Sequence, residues 1–162
     1  MLESFEEIIK KEFVFLEKSY EFIYSGLNCV DEDPRDSFVA AKYRRFERRI
    51  DIVWNSFAMS LGILIKQDHL EQLKRRESFI YFEPFIEYMS CGSVKPIIPQ
   101  IYPKMSVGKI EKTILARKKC FKNGVEPVIP SLAKRLIENY DAVNLPTLEQ
   151  VRKYHEWYIN RD

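Results

Sequence analysis

The stretch Arg-Arg-Ile-Asp-Ile-Val-Trp-Asn-Ser-Phe-Ala-Met-Ser-Leu-Gly-Ile-Leu-Ile, residues 48–65, decides the class of fold. In its first half Ile50, Ile52 and Trp54 alternate with Asp51, Val53 and Asn55. In its second half Phe57, Met59, Leu61, Ile63 and Ile65 recur at every second position. Side chains two apart share one face of a strand, whereas a helix face repeats about every 3.6 residues. Two strands are therefore predicted, over 48–55 and 57–65, each with one buried face. The link at Asn55 and Ser56 is short enough only for an antiparallel return. Upstream, 38–44 reads as a further strand joined through residues 45–47, and 20–24 as a first strand ended by Gly26. The sheet expected is an antiparallel meander of about four strands.

Working outward, the flanks change period. Phe5, Ile8, Ile9, Phe13 and Leu16 recur at helical spacing over 2–17, and Ser4 followed by Glu7 fits a capping box. Residues 67–76 are charged and read as a loop or a short exposed helix, and in 78–89 Pro84 suits the first turn of a short helix. Residues 91–103 hold Gly92, Pro96, Pro99 and Pro103 and form an extended loop. Its apolar side chains, Val94, Ile97, Ile98, Ile101 and Tyr102, must pack on the core or meet a partner. Three helices follow. The first covers 106–123, with Ile110, Ile114 or Leu115, and Phe121 inward. The second covers 129–143, with Leu132, Leu136, Ile137 and Tyr140 inward. The third covers 147–160, with Thr147 as N-cap and Leu148, Val151, Tyr154, Trp157 and Tyr158 as its apolar stripe. Strands followed by helices define an α+β fold, here one domain over 1–162 with the C-terminal helices on one face of the sheet.

The totals bound the function. Of 162 residues, 46% are hydrophobic and 14% aromatic, enough for a packed core. A formal net charge of +2 argues against the marked basic excess of nucleic-acid binders. The acidic N-terminus lacks a secretory leader and no apolar run reaches spanning length, so the expected location is the cytoplasm. Cys29, Cys91 and Cys120 are too widely spaced for a disulfide framework or a paired-cysteine zinc site, and read as reduced, partly buried thiols.

No phosphate loop, dinucleotide fingerprint or nucleophile elbow is present. The chain is read as a non-enzyme without metal or cofactor. His155, on a helix beside Tyr154 and Trp157, is a candidate general base whose ordinary alternative is packing. Asp51 sits mid-strand as a nuclease acid does, but the next strand carries no acid to complete a metal site, so it reads as a solvated or salt-bridged residue. Cys120 lies among Lys118, Lys119 and Lys122, which would favour its thiolate if they faced it. Lys42, Arg44, Arg45, Arg48 and Arg49 crowd one hairpin around Tyr43 and Phe46. That hairpin, 42–49, could grip a nucleic-acid backbone, which is the alternative function. The acidic run Asp31, Glu32, Asp33 and Asp36 lacks the glycine and terminal glutamate of a calcium loop and suits a basic partner instead.

One resemblance rests on named residues. The order is an N-terminal helix, then Phe-Leu-Glu-Lys-Ser-Tyr-Glu-Phe (15–22), then Asp-Pro-Arg (33–35), then a charged hairpin with Arg-Ile-Asp-Ile-Val-Trp (49–54), then helices. This order resembles small bacterial immunity proteins of polymorphic-toxin and contact-dependent growth-inhibition systems. The resemblance implies a cytoplasmic antidote that binds a cognate toxin domain and neutralises it. The surface expected to meet that partner is the acidic loop Asp31, Glu32, Asp33 and Asp36, with Tyr43, Arg45 and Arg48 of the hairpin.

Overall fold

The computed structural model describes residues 2–30, 38–67, 79–144 and 146–162. Two N-terminal helices, α1 (Leu2–Glu12) and α2 (Val14–Tyr20), precede strands β1 (Ile23–Val30), β2 (Phe38–Arg45), β3 (Arg48–Asn55), β4 (Ser60–Gln67) and β5 (Phe79–Tyr81). Helices α3 (Phe82–Met89), α4 (Val107–Cys120), α5 (Ile129–Asn144) and α6 (Leu148–Asn160) complete the α+β order. The strands form one antiparallel sheet in the order β1-β2-β3-β4-β5, a five-strand meander where four strands are expected from the sequence.

The start of the sheet departs from the sequence reading. Tyr20 ends a helix, and Glu21 takes the left-handed conformation at φ 59° while the Phe22 N–H donates to the Leu16 carbonyl at 2.9 Å. This closure over residues 16–22 ends the helix and turns the chain into β1. Gly26 does not end that strand. It sits at φ 103° where the register slips between Tyr24 and Gly26, a bulge that a side chain would strain. Strand β4 begins at Ser60 instead of residue 57, because the Asn55 side chain accepts from the Ala58 N–H at 2.7 Å and folds residues 56–59 into a turn. Phe57 is thereby left 64% exposed. The charged run 68–76 lies outside the described residues, as do the acids between β1 and β2.

Alternation fills one face of the sheet. Ala41, Tyr43, Ile50, Ile52, Leu61, Ile63, Ile65 and Ile80 join one core with Phe5, Ile9, Phe13 and Leu16 of the N-terminal helices and with Phe85, Leu132, Leu136, Tyr140, Val151 and Tyr154 of the C-terminal ones. Pro84 is the third residue of α3, where its missing N–H costs no helical bond. Thr147 and Gln150 form a reciprocal capping box at α6. Two helix faces are corrected. On α4, Ile114 and Leu115 point outward while Arg117 and Phe121 are buried, and on α5 Ile137 is half exposed. Cys29 and Cys91 are exposed, contrary to partly buried thiols, and only Cys120 is half-buried.

The apolar loop between α3 and α4 packs inward, with Ile98 and Tyr102 buried. Two carboxylates one turn apart on α3 hold it. Glu83 accepts from the Ile97 and Ile98 N–H groups at 2.7 and 3.3 Å and from the Gln100 amide at 3.4 Å, with Arg135 of α5 at 3.5 Å. Glu87 accepts from the Tyr102 hydroxyl at 2.6 Å, from Arg161 at 2.7 Å and from Lys95 at 3.3 Å. Arg117 adds a third fastening by donating to the Pro99 carbonyl at 2.7 Å and the Ala58 carbonyl at 3.3 Å.

Candidate functional site

The hairpin expected to meet a partner divides between the two faces of the sheet. Tyr43 is fully buried, so its ring serves the core and not a surface. Its hydroxyl has no hydrogen-bond partner among the described residues, and burial pushes the phenol well above its ordinary value. Arg45 and Arg48 stand opposite each other on the core side of the hairpin end, and each has a partner. Arg45 pairs with Glu21 at 2.8 Å, and Arg48 donates to the Asn144 side chain at the end of α5. These contacts fasten the hairpin to the helical layer. Asp31, Glu32, Asp33 and Asp36 lie outside the described residues, as do His69, Lys74, Arg75 and Arg76. His155 is half-buried with its ring 5.0 Å from that of Tyr154.

The opposite face carries the unusual chemistry. The strand register aligns Arg44 of β2, Arg49 of β3, Lys66 of β4 and Phe79 of β5 in one row. The next row on that face holds Lys42, Asp51, Leu64 and Tyr81. Three cations thus follow one another across three neighbouring strands, with Lys42 beside them. Like charges directly opposite on a sheet are destabilising. Two features ease this. Asp51, only 5% exposed, places an Oδ2 3.0 Å from the Arg49 Nε, and Arg49 and Lys66 stand 5.5 and 5.9 Å from the centre of the Phe79 ring. Burial raises the Asp51 carboxyl above its usual range, opposed by the charges of Arg49, Lys42 and Arg44. Its Oδ1 has no hydrogen-bond partner among the described residues. On this face Val53, Leu64 and Phe79 are half-buried, Ala40 and Asp51 are buried, and Tyr81 stacks on Tyr158 of α6 with ring centres 5.3 Å apart. The sequence grouped Lys42, Arg44 and Arg49 with Arg45 and Arg48 in one hairpin cluster and took Asp51 by itself. The register that sets Lys66 and Phe79 beside them was not visible there, since residues 67–78 contain no strand pattern.

Two other places are less suited to a site. An open groove of about 530 Å³ lies between the end of α3 and the start of α6, lined by Met89, Cys91, Thr147, Gln150 and others. Its polar groups are already engaged, Thr147 and Gln150 in capping and Glu149 with Lys153 at 2.7 Å. On α4, Arg117 is buried while Lys118 and Lys119 are exposed, so that basic cluster is split. Among the described residues, no three His, Cys, Asp or Glu side chains gather as metal ligands, and no helix is long and apolar enough to cross a membrane.

Comparison with known proteins finds no family model matching this chain, and no curated protein or solved structure significantly similar to it.

Proposed function

We propose that this chain is a protein-binding module, and that it acts as a cytoplasmic immunity protein that binds and neutralises a toxin domain. The observation that carries the binding reading is the basic surface of the hairpin, where exposed Arg44 stands with half-buried Lys42 and Arg49. Cations held side by side on neighbouring strands suit an oppositely charged partner surface. The immunity assignment adds the resemblance carried by residues 15–22, 33–35 and 49–54. The saturated carboxylates Glu83 and Glu87 support a binding role over a catalytic one, because every oxygen is committed to holding the loop.

The test is co-expression of the full chain with a panel of bacterial toxin domains. One-to-one capture that survives nuclease treatment and protects cells from that toxin is the expected result. Release of the captured material by nuclease, with no protein left bound, is the result that overturns the reading in favour of nucleic acid.

A further inference from the structure

We infer that the free edge of β1 pairs antiparallel with β1 of a second copy of this chain, joining the two sheets about a twofold axis at Asn28. β1 bonds to β2 on one side, and among the described residues no strand lies on its other side. The hairpin register decides which backbone groups point to that free side. Arg45 and Arg48 close a two-residue loop and so form a hydrogen-bonded pair, and such pairs recur at every second residue. Residues 45, 43, 41 and 39 therefore bond to β3, and 44, 42, 40 and 38 to β1. Ile23, Gly26, Asn28 and Val30 stand opposite the latter four and bond to them. Tyr24, Leu27 and Cys29 are left with N–H and C=O groups turned outward. The Tyr24 N–H shows this direction by donating to Glu17 of α2 at 3.4 Å. The outward groups of Leu27 and Cys29 have no hydrogen-bond partner among the described residues.

Unpaired edges invite strand addition, and proteins guard them with charge, proline or brevity. β1 has eight residues, none of them charged and none proline. Its one guard is the bulge between Tyr24 and Gly26, which leaves 26–30 regular. The opposite edge, β5, has only three residues. A second copy is the occupant that 26–30 fits. With Asn28 opposite Asn28 of the copy, Leu27 meets Cys29 on both sides of the axis, and every facing pair has its bonding groups outward. A slip of one residue would set outward groups against inward ones. Asn28 is exposed, and its amide both donates and accepts, so it matches itself across the axis. No like charges meet along the join, and a charged partner strand would find no opposite charge there. Pairing over 26–30 engages far fewer than the roughly 20–30 residues a side of a standard interface, so the dimer is weak and concentration-dependent.

The experiment is sedimentation equilibrium of the full chain under reducing conditions, from micromolar to millimolar concentration. A monomer–dimer equilibrium is expected, weakened about tenfold or more by Cys29→Pro, which removes an outward N–H, and by Asn28→Lys, which sets two cations on the axis. Both side chains are exposed, and circular dichroism checks that each variant keeps the fold. Asn28→Cys in a Cys29→Ser background should crosslink under mild oxidation, since facing residues of a non-hydrogen-bonded pair lie about 4.5 Å apart at Cα, within disulfide reach. A monomer at every concentration, a dimer unchanged by both substitutions, or no crosslink at Asn28→Cys overturns the inference. A dimer weakened by Arg44→Glu but not by Cys29→Pro does so too, because the contact then lies on the hairpin.

Discussion

Glu83 and Glu87 of α3 and Asp51 of β3 are buried alike, at 4%, 3% and 5% exposure, yet their surroundings differ. Both oxygens of each α3 carboxylate meet donors from the loop, from α5 or from Arg161. Asp51 has one oxygen near Arg49 and the other without a partner, amid cations set against each other. A buried carboxylate with every oxygen satisfied is a fastening, and removing it strands its donors. A half-satisfied one at the centre of a charged face contributes little to the fold, and its value lies in arranging Arg49 and Lys42.

The largest effect expected is alkaline unfolding from the α3 side. Burial, and then the Glu87 carboxylate, hold the Tyr102 phenol well above its ordinary value, and burial raises Tyr154 as well and Tyr158 to about 12. Folded values above the unfolded one mean that this stability is complete below about pH 10 and is lost as pH rises through the folded values. Phenolate absorbance from these rings should therefore appear together with loss of circular dichroism. A smooth titration that leaves the fold intact would break the contrast at its strongest point.

Next in size, Glu87→Ala should cost about 3 kcal/mol in denaturant unfolding, since it strands the Tyr102 hydroxyl and Arg161. Combined with Tyr102→Phe, the loss should be well short of additive. Asp51→Asn should change stability by no more than about 1 kcal/mol. Its pH signature is more telling. Because burial raises the Asp51 carboxyl, its contribution is present at low pH and lost as pH rises through the folded value. The wild type should thus lose stability, which Asp51→Asn retains, as pH rises above the ordinary aspartate range through the raised folded value. A cost equal to that of Glu87→Ala would erase the distinction between the two regions. The smallest effect is Tyr43→Phe, which removes a buried hydroxyl lacking a partner and should be neutral or stabilising by about 0.5 kcal/mol. Partner binding should be unaffected, since that ring lies in the core; weakened binding in a titration would return Tyr43 to the surface candidates.

Much of the fold was legible because its signals are local. Alternation over 48–55 matches β3 residue for residue, and the Thr147 cap and the α6 stripe need only neighbouring residues. The misreadings occur where a local pattern was overruled. Phe57 continues the alternation of β4, but the Asn55 side chain claims the backbone first. Tyr20 and Phe22 look like strand residues, but Phe13 and Leu16 bury the helix before them. Ile114, Leu115 and Ile137 lie close to helical stripes, and only the contact geometry shows that their sides meet no core. The candidate surface was half legible: the hairpin's charge was plain, while its division into a core side (Arg45, Arg48) and an outer side (Arg44, Arg49) depends on pairing.

By itself the sequence determined the α+β class, the period of the strands, most helix starts and the absence of the common nucleotide and nucleophile motifs. These follow from backbone preferences and side-chain spacing within a few residues. Tertiary structure alone decided that Arg44, Arg49, Lys66 and Phe79 share a row, that Glu83 and Glu87 hold a loop more than ten residues away, and that Tyr43 is interior. Such contacts depend on strand register and on which helix closes over which face. Those choices are made by the burial of the whole core at once, and no short stretch of residues encodes them.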